Sequence, residues 1–189
     1  MKWQLIRAPM ATVLIALAGC TTQPEDIRLA GPALDPKAFF SGQMTANGIV
    51  QDYKGRQLRS FTADIVGQWQ GDIGLLDEHF VFDDGEEQHR CWKLKVDGQK
   101  LTGTAGDVVG MAEGKFSGNA LIWAYTLELP EHQGGWSVNL DDRLFLLNPK
   151  KLLNRTRMSK LGLPVGEITL VIDKVSEQAQ RENSADCSL

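Results

Sequence analysis

The sequence predicts an all-β domain, an antiparallel barrel of about nine or ten strands, with a two-sheet β-sandwich as the alternative. Three observations predict it. Apolar side chains recur with period two in run after run. Turn dipeptides separate the runs at roughly ten-residue spacing. No long stretch with helical periodicity comes between them. The 19 glycines suit strands that coil and bend sharply, as barrel closure demands.

The chain opens with a basic segment, Met1 to Arg7, and an apolar run, Ala8 to Ala16, too short to span a bilayer. Leu17-Ala18-Gly19-Cys20 closes that run. It resembles the bacterial lipobox, in which the cysteine thiol receives diacylglycerol and becomes the first residue of the mature protein. That resemblance implies a signal peptide over 1–19 and lipidation of Cys20. Thr21 follows where inner-membrane lipoproteins commonly carry Asp, so the implied address is the periplasmic face of the outer membrane. One acyl chain binds a membrane marginally, whereas several anchor it stably. Thr21 to Pro36 contains Pro24, Pro32 and Pro36 and no amphipathic period. As an extended tether at about 3.1–3.3 Å per residue it reaches up to roughly 50 Å. The expected organisation is therefore leader 1–19, lipidated cysteine and tether 20–38, barrel 39–175 and polar tail 176–189. Lys37-Ala38-Phe39-Phe40 begins the fold.

Strand runs follow from Gly42. Phe61, Ala63, Ile65, Gly67 and Trp69 share one face, then Arg90, Trp92, Leu94 and Val96. Leu121, Trp123, Tyr125, Leu127 and Leu129 form a third face. Trp136, Val138, Leu140, Leu144 and Leu146 form a fourth, and Ile168, Leu170 and Ile172 close the series. Asp84-Gly85, Asp97-Gly98 and Gly118-Asn119 are hairpin turns. Asn148 to Leu161 reads either as a helical turn after Pro149 or as a strand; the strand is preferred, with Leu153, Arg155, Arg157 and Ser159 on one face.

Composition narrows the function classes. The formal net charge is −4, and the leader alone carries Lys2 and Arg7, so the rest of the chain is more acidic still. With no basic stripe, nucleic acid is not an expected partner. The acidic loop Asp83-Asp84-Gly85-Glu86-Glu87 lacks the ligand spacing of an EF-hand and reads as a solvated hairpin tip. His79, His89 and His132 do not make a zinc spacing, and no Gly-x-Ser-x-Gly motif is present. No metal, cofactor or catalytic set is expected. Of the three cysteines, Cys91 and Cys187 remain for a possible disulfide that would staple the tail to the body.

Polar residues on otherwise apolar faces are the candidate site. Arg90 shares its face with Trp92 and Leu94, Glu78 with Phe80 and Phe82, and Asp142 with Leu140 and Leu144. A charge turned inward must be paired or wetted, and Glu78 is the natural partner of Arg90 across a hairpin. Either this network closes one barrel end, or Arg90 orients a carboxylate or phosphate head group at the end of a hydrophobic cavity. Trp69, Trp92, Trp123 and Trp136 face the same interior, as core or as the lining of a pocket.

Four strings carry a family resemblance: Leu76-Asp77-Glu78 with Phe80, Asp83 to Glu86 and Arg90-x-Trp92; Asp107-Val108-Val109-Gly110 with Gly118-Asn119-Ala120; Asp141-Asp142; and Asn154 to Gly162. Together they resemble a family of proteobacterial lipoproteins known as domain of unknown function 3833, over about Phe39 to Val175. The resemblance implies a lipocalin-like barrel and a lipid-related role, and it singles out Glu78, Arg90, Asp107, Asn119, Asp142, Arg155 and Arg157. The resulting expectation is a non-enzymatic barrel that binds a fatty acid, phospholipid or other hydrophobic molecule. Arg90 and Arg157 would receive the head group, with Glu78 and Asp142 near it and Trp92 and Trp123 packing the tail. The alternative is an envelope interaction, assembly or stress protein with a filled core and unidentified protein partners.

Overall fold

A computed structural model describes residues 31–178, 183, 184 and 186–188. The leader, Cys20 and the tether up to residue 30 lie outside the described residues. The fold begins with a short helix, α1 (Pro36–Phe39), started by Pro36 at its first position and capped by Asp35. The Asp35 carboxylate accepts the N–H groups of Lys37 at 2.9 Å and Ala38 at 3.1 Å.

Ten strands follow: β1 (Gly42–Asp52), β2 (Gln57–Gln70), β3 (Ile73–Phe82), β4 (Glu87–Asp97), β5 (Lys100–Thr104), β6 (Ala112–Ser117), β7 (Ala120–Glu128), β8 (Ser137–Asn148), β9 (Lys151–Lys160) and β10 (Leu163–Ser176). Each pairs antiparallel with its chain neighbours, and β1 pairs with β10, so the sheet closes into a barrel. Closure leaves no edge strand unpaired, and the sandwich is not the arrangement adopted. The stretch after Asn148 is strand β9.

The two ends of the barrel differ. Around α1, Phe39, Phe40 and Leu34 pack with Met44, Leu76, Leu146 and Leu152 into a dry core. Gly67 makes this plug possible: a Cβ there would stand 1.8 Å from the Phe40 carbonyl oxygen. Lys174 adds a hydrogen bond to the carbonyl of Ala38. Trp69 belongs to this plugged end, its indole N–H donating to the Phe40 carbonyl at 3.0 Å.

Outward-facing residues of β2 and β3 are also buried, namely Val66, Leu75 and Asp77. The C-terminal tail accounts for the burial of Asp77. Cys187 is joined to Cys91 on β4 by a disulfide, with Cα atoms 5.4 Å apart. The Ser184 backbone N–H donates to Asp77 at 2.5 Å, and the other Asp77 oxygen meets His89 Nε2, also at 2.5 Å. Burial works against the Asp77 charge, but the Ser184 N–H and His89 outweigh it and hold the carboxyl below its usual range.

A polar mouth over an aromatic wall

At the end opposite α1, inward-facing Glu78, Phe80, Arg90, Tyr125, Met158 and Ile168 are only half-buried. A side chain inside a closed barrel gains exposure through an open end, so water reaches this half. Below the mouth, Trp92 stands edge-on to Trp123 at 5.6 Å and to Tyr125 at 5.3 Å. Trp123 reaches along the wall over Gly114 and Gly103, two positions where any Cβ would lie within 3.2 Å of its ring. Bare backbone on β5 and β6 thus makes the slot for this indole.

Above the rings lies the charged cluster. Glu78 and Arg90 are register partners across β3 and β4, yet their closest charged atoms are 3.8 Å apart. The closer partner of Arg90 is Asp107, on the connection between β5 and β6. Arg90 Nε donates to both Asp107 oxygens at 3.0 and 2.9 Å, and Nη2 adds a bond of 2.8 Å. Val108, beside it, packs on the core, so this connection folds partly over the mouth. Opposite, Thr156 on β9 donates to Asp142 on β8 at 2.5 Å, and Asn154 Nδ2 donates to Thr156 Oγ1 at 3.3 Å.

Burial dominates the acid–base chemistry here. It pushes Glu78 up from 4.5 to about 7 against the pull of Arg90, with Asp107 and Asp142 adding to the rise. Asp142 is pushed from 3.8 to about 6, again by burial, with Thr156 and Asn154 opposing. The Tyr125 hydroxyl rises well above 10, so it is neutral in the physiological range. For Arg90, burial works against the charge, but the carboxylates of Asp107 and Glu78 outweigh it and keep the guanidinium ionised.

A family model described as a protein of unknown function, DUF3833, matches residues 14–174. The chain belongs to that family. No curated protein matches this DUF3833 chain. Among solved structures it is similar to a DUF3598 protein of unknown function from Nostoc punctiforme, at 13% identity and a TM-score of 0.56. That match covers 77% of the DUF3833 chain but 51% of the other, so the chain spans about half the length of that neighbour. It is also similar to the S-type phycobiliprotein lyase CPES from Guillardia theta, at 8% identity and a TM-score of 0.54, covering 74% and 90%. A third is Rv2717c from M. tuberculosis, at 12% identity and 0.51, covering 76% and 99%. At these identities the likeness is one of fold: the DUF3833 chain is a lipocalin-like barrel.

Within the barrel Glu78, Arg90, Trp92, Trp123 and Asp142 meet on one inner surface. Arg157 does not join them. It stands exposed on the outer wall, because Leu152, Asn154 and Thr156 take the inward positions of β9 and the phase expected from Leu153 is off by one. Arg155 is outward too, paired with Glu167 at 2.9 Å. Trp136 is at the rim, where its indole donates to the Gln133 carbonyl and Lys160 lies 3.4 Å from the ring centre. Asn119 holds a turn at the plugged end through the Leu146 carbonyl.

Asn154, Thr156 and Tyr125 join the site beyond the residues that the sequence pattern singles out. Tyr125 shares the parity of Trp123, and Asn154 and Thr156 share that of Leu152, which was the available signal. The acidic hairpin tip grips Arg59, through Asp84 at 2.8 Å and Glu86 at 2.9 Å, over the Phe82 ring. His79 and His89 are register partners on the outer wall. Among the described residues, no three His, Cys, Asp or Glu side chains gather as metal ligands would. Ser184, His89 and Asp77 form no proton relay, since both contacts fall on the same ring nitrogen, Nε2 of His89.

Proposed function

We propose that this protein is a non-catalytic binding barrel that takes a hydrophobic small molecule of lipid type through its open end, and that Cys20 lipidation holds it at the periplasmic face of the outer membrane. The observation that carries the reading is the largely buried polar cluster at the open end, seated on the Trp92–Trp123–Tyr125 wall. Concave apolar surface with a few converging polar groups is the ordinary composition of a small-molecule site. The rim supports a lipid source. Tyr53, Leu58, Val109, Met111, Leu161 and Leu163 are exposed apolar side chains on connections or strand ends of the open end, and Leu161 is 91% exposed. The Cys91–Cys187 disulfide supports an oxidising compartment.

The test is organic extraction of the purified protein with mass spectrometry of the extract, followed by titration with a fluorescent fatty-chain probe. A stoichiometric hydrophobic species, or saturable probe binding lost in Trp123→Ala, is expected. An empty extract together with no saturable binding overturns the reading. For the anchor, Cys20→Ser moves the protein from the membrane fraction to the soluble periplasm. Retention in the outer membrane by the variant contradicts anchoring there.

A second reading has its own observation. The outer wall of β10, β1, β2 and β3 carries a depression of about 560 Å³, lined in part by Ile49, Thr62, Val81 and Val171, which suits contact with another protein. Crosslinking from Thr62 that recovers one defined envelope protein, with an empty barrel, would favour it.

A further inference from the structure

The inner wall of the open half carries more acid than base. Glu78, Asp107 and Asp142 face it from β3, from the β5–β6 connection and from β8, and Tyr125 adds a neutral phenol from β7. The guanidinium of Arg90 is already held by Asp107, with Glu78 3.8 Å from its remaining nitrogen. At the rim, Arg59 is held by Asp84 and Glu86, His132 lies 3.3 Å from Glu86, and Lys160 rests on the Trp136 ring. Arg90, Arg59 and Lys160 thus each have an anion or a ring. Asp142 is hydrogen-bonded by the Thr156 hydroxyl, which the Asn154 amide backs, and no ion pair to it is seen among the described residues.

A second observation points the same way. Asn154 is only 6% exposed, on the inner face of β9. Thr156 has one hydroxyl proton and donates it to Asp142, so Asn154 must turn its NH₂ toward Thr156. Its carbonyl Oδ1 is left buried with no donor. A buried acceptor without a partner is an unmade hydrogen bond. Two carboxyls and an orphan carbonyl therefore face one lumen, Glu78 from one side and Asp142 with Asn154 from the other, and with the carboxyls ionised all three accept.

We infer that the head group this barrel takes is a protonated amine on an apolar body, received by Glu78, Asp142 and the Asn154 carbonyl. The inference rests on the binding reading above and replaces the anionic head group that Arg90 alone would suggest. An ammonium offers three donors and the missing positive charge. The apolar body lies along Trp92 and Trp123. Binding also stabilises the ionised carboxylates, so protons leave the site as the amine enters.

The test titrates the full chain carrying Cys20→Ser with dodecylammonium, dodecanol and dodecanoate, each below its micellar concentration, following tryptophan fluorescence. At pH 7.5 the ammonium is expected to bind roughly tenfold or more tighter than either other probe, the worth of one charge-assisted contact. Asp142→Asn and Glu78→Gln should each remove most of the ammonium's advantage over dodecanol, because each deletes one negative charge while keeping side-chain shape. Calorimetry of the unsubstituted site at pH 6.5, in buffers of different ionisation heat, should show proton release with the ammonium, a readout independent of the variants' folding. Dodecanoate binding as tightly as the ammonium, or no proton release, overturns the head-group inference alone. If none of the three probes binds, both it and the binding reading fall.

Discussion

Glu78→Gln makes the electrostatics of the mouth measurable as stability. Glu78 has 14% of its side chain exposed, and its pKa rises on folding from 4.5 to about 7. A raised acid contributes stability that is fully present below its unfolded pKa and lost as pH climbs through its folded one. At 1.36 kcal/mol per pK unit the rise amounts to about 3 kcal/mol, and water entering the mouth trims it to about 2–3 kcal/mol. Glutamine cannot ionise and escapes this loss. Relative to the unmodified protein, the variant should gain about 2–3 kcal/mol between pH 4.5 and pH 8, a relative shift of roughly 1 M in the urea midpoint. Asp142 weakens the protein in the same direction between 3.8 and about 6, but it does so in both proteins and cancels. Asp52, Asp77, Asp84 and Glu86, all held low, lose their contribution as pH falls and act mainly below this window. The assay is equilibrium urea unfolding at half-unit pH steps, with unchanged m-values as the control. Parallel stability curves for the two proteins would show that burial does not outweigh Arg90 at Glu78, and the account of the mouth would fail.

Three further outcomes follow from the same structure. Cys187→Ser opens a cross-link spanning 96 residues and uncovers Asp77, and should cost about 2–4 kcal/mol; reducing the disulfide in the unmodified protein should bring its thermal midpoint close to the variant's. Gly67→Ala forces a methyl group against the Phe40 carbonyl and should cost about 3 kcal/mol or more, read as faster amide exchange over residues 34–41, whereas an unchanged exchange pattern would deny the plug its role. Asp107→Asn leaves the Arg90 guanidinium to Glu78 and should cost about 2–4 kcal/mol. It should also flatten the pH dependence assigned to Glu78, since an acidic neighbour is removed and a cation freed; an unaltered slope would argue against that coupling.

The barrel was legible because its strands repeat a strict alternation for which the turns supply the punctuation. Gly85, Gly98 and Gly118 take the positive φ values that their hairpin dipeptides anticipate. The inward set on β3, β4, β7 and β8 was legible for the same reason, each strand holding at least three large apolar residues of one parity. On β9 the signal failed, since Leu152 and Leu153 fit either phase and polar Asn154 and Thr156 disguise the buried face. The contact between Asp107 and Arg90 was hidden because it joins a strand to a connection, where no periodicity reports direction. Asp77 is buried on the outer face for a reason outside its strand: Ser184, more than 100 residues further along, bonds to it.

The chain enters the barrel at the end that α1 plugs, with Leu34 N–H bonded to the Gly118 carbonyl beside it. Whatever secures the residues before it therefore grips the molecule by its base, and the mouth points away from that attachment. Under the anchoring at Cys20 proposed above, the barrel is a cup held by its base, and taking cargo from the surface that holds it requires the cup to turn over. On that same proposal, shortening the segment between Cys20 and Pro36 separates loading from anchoring without touching either site.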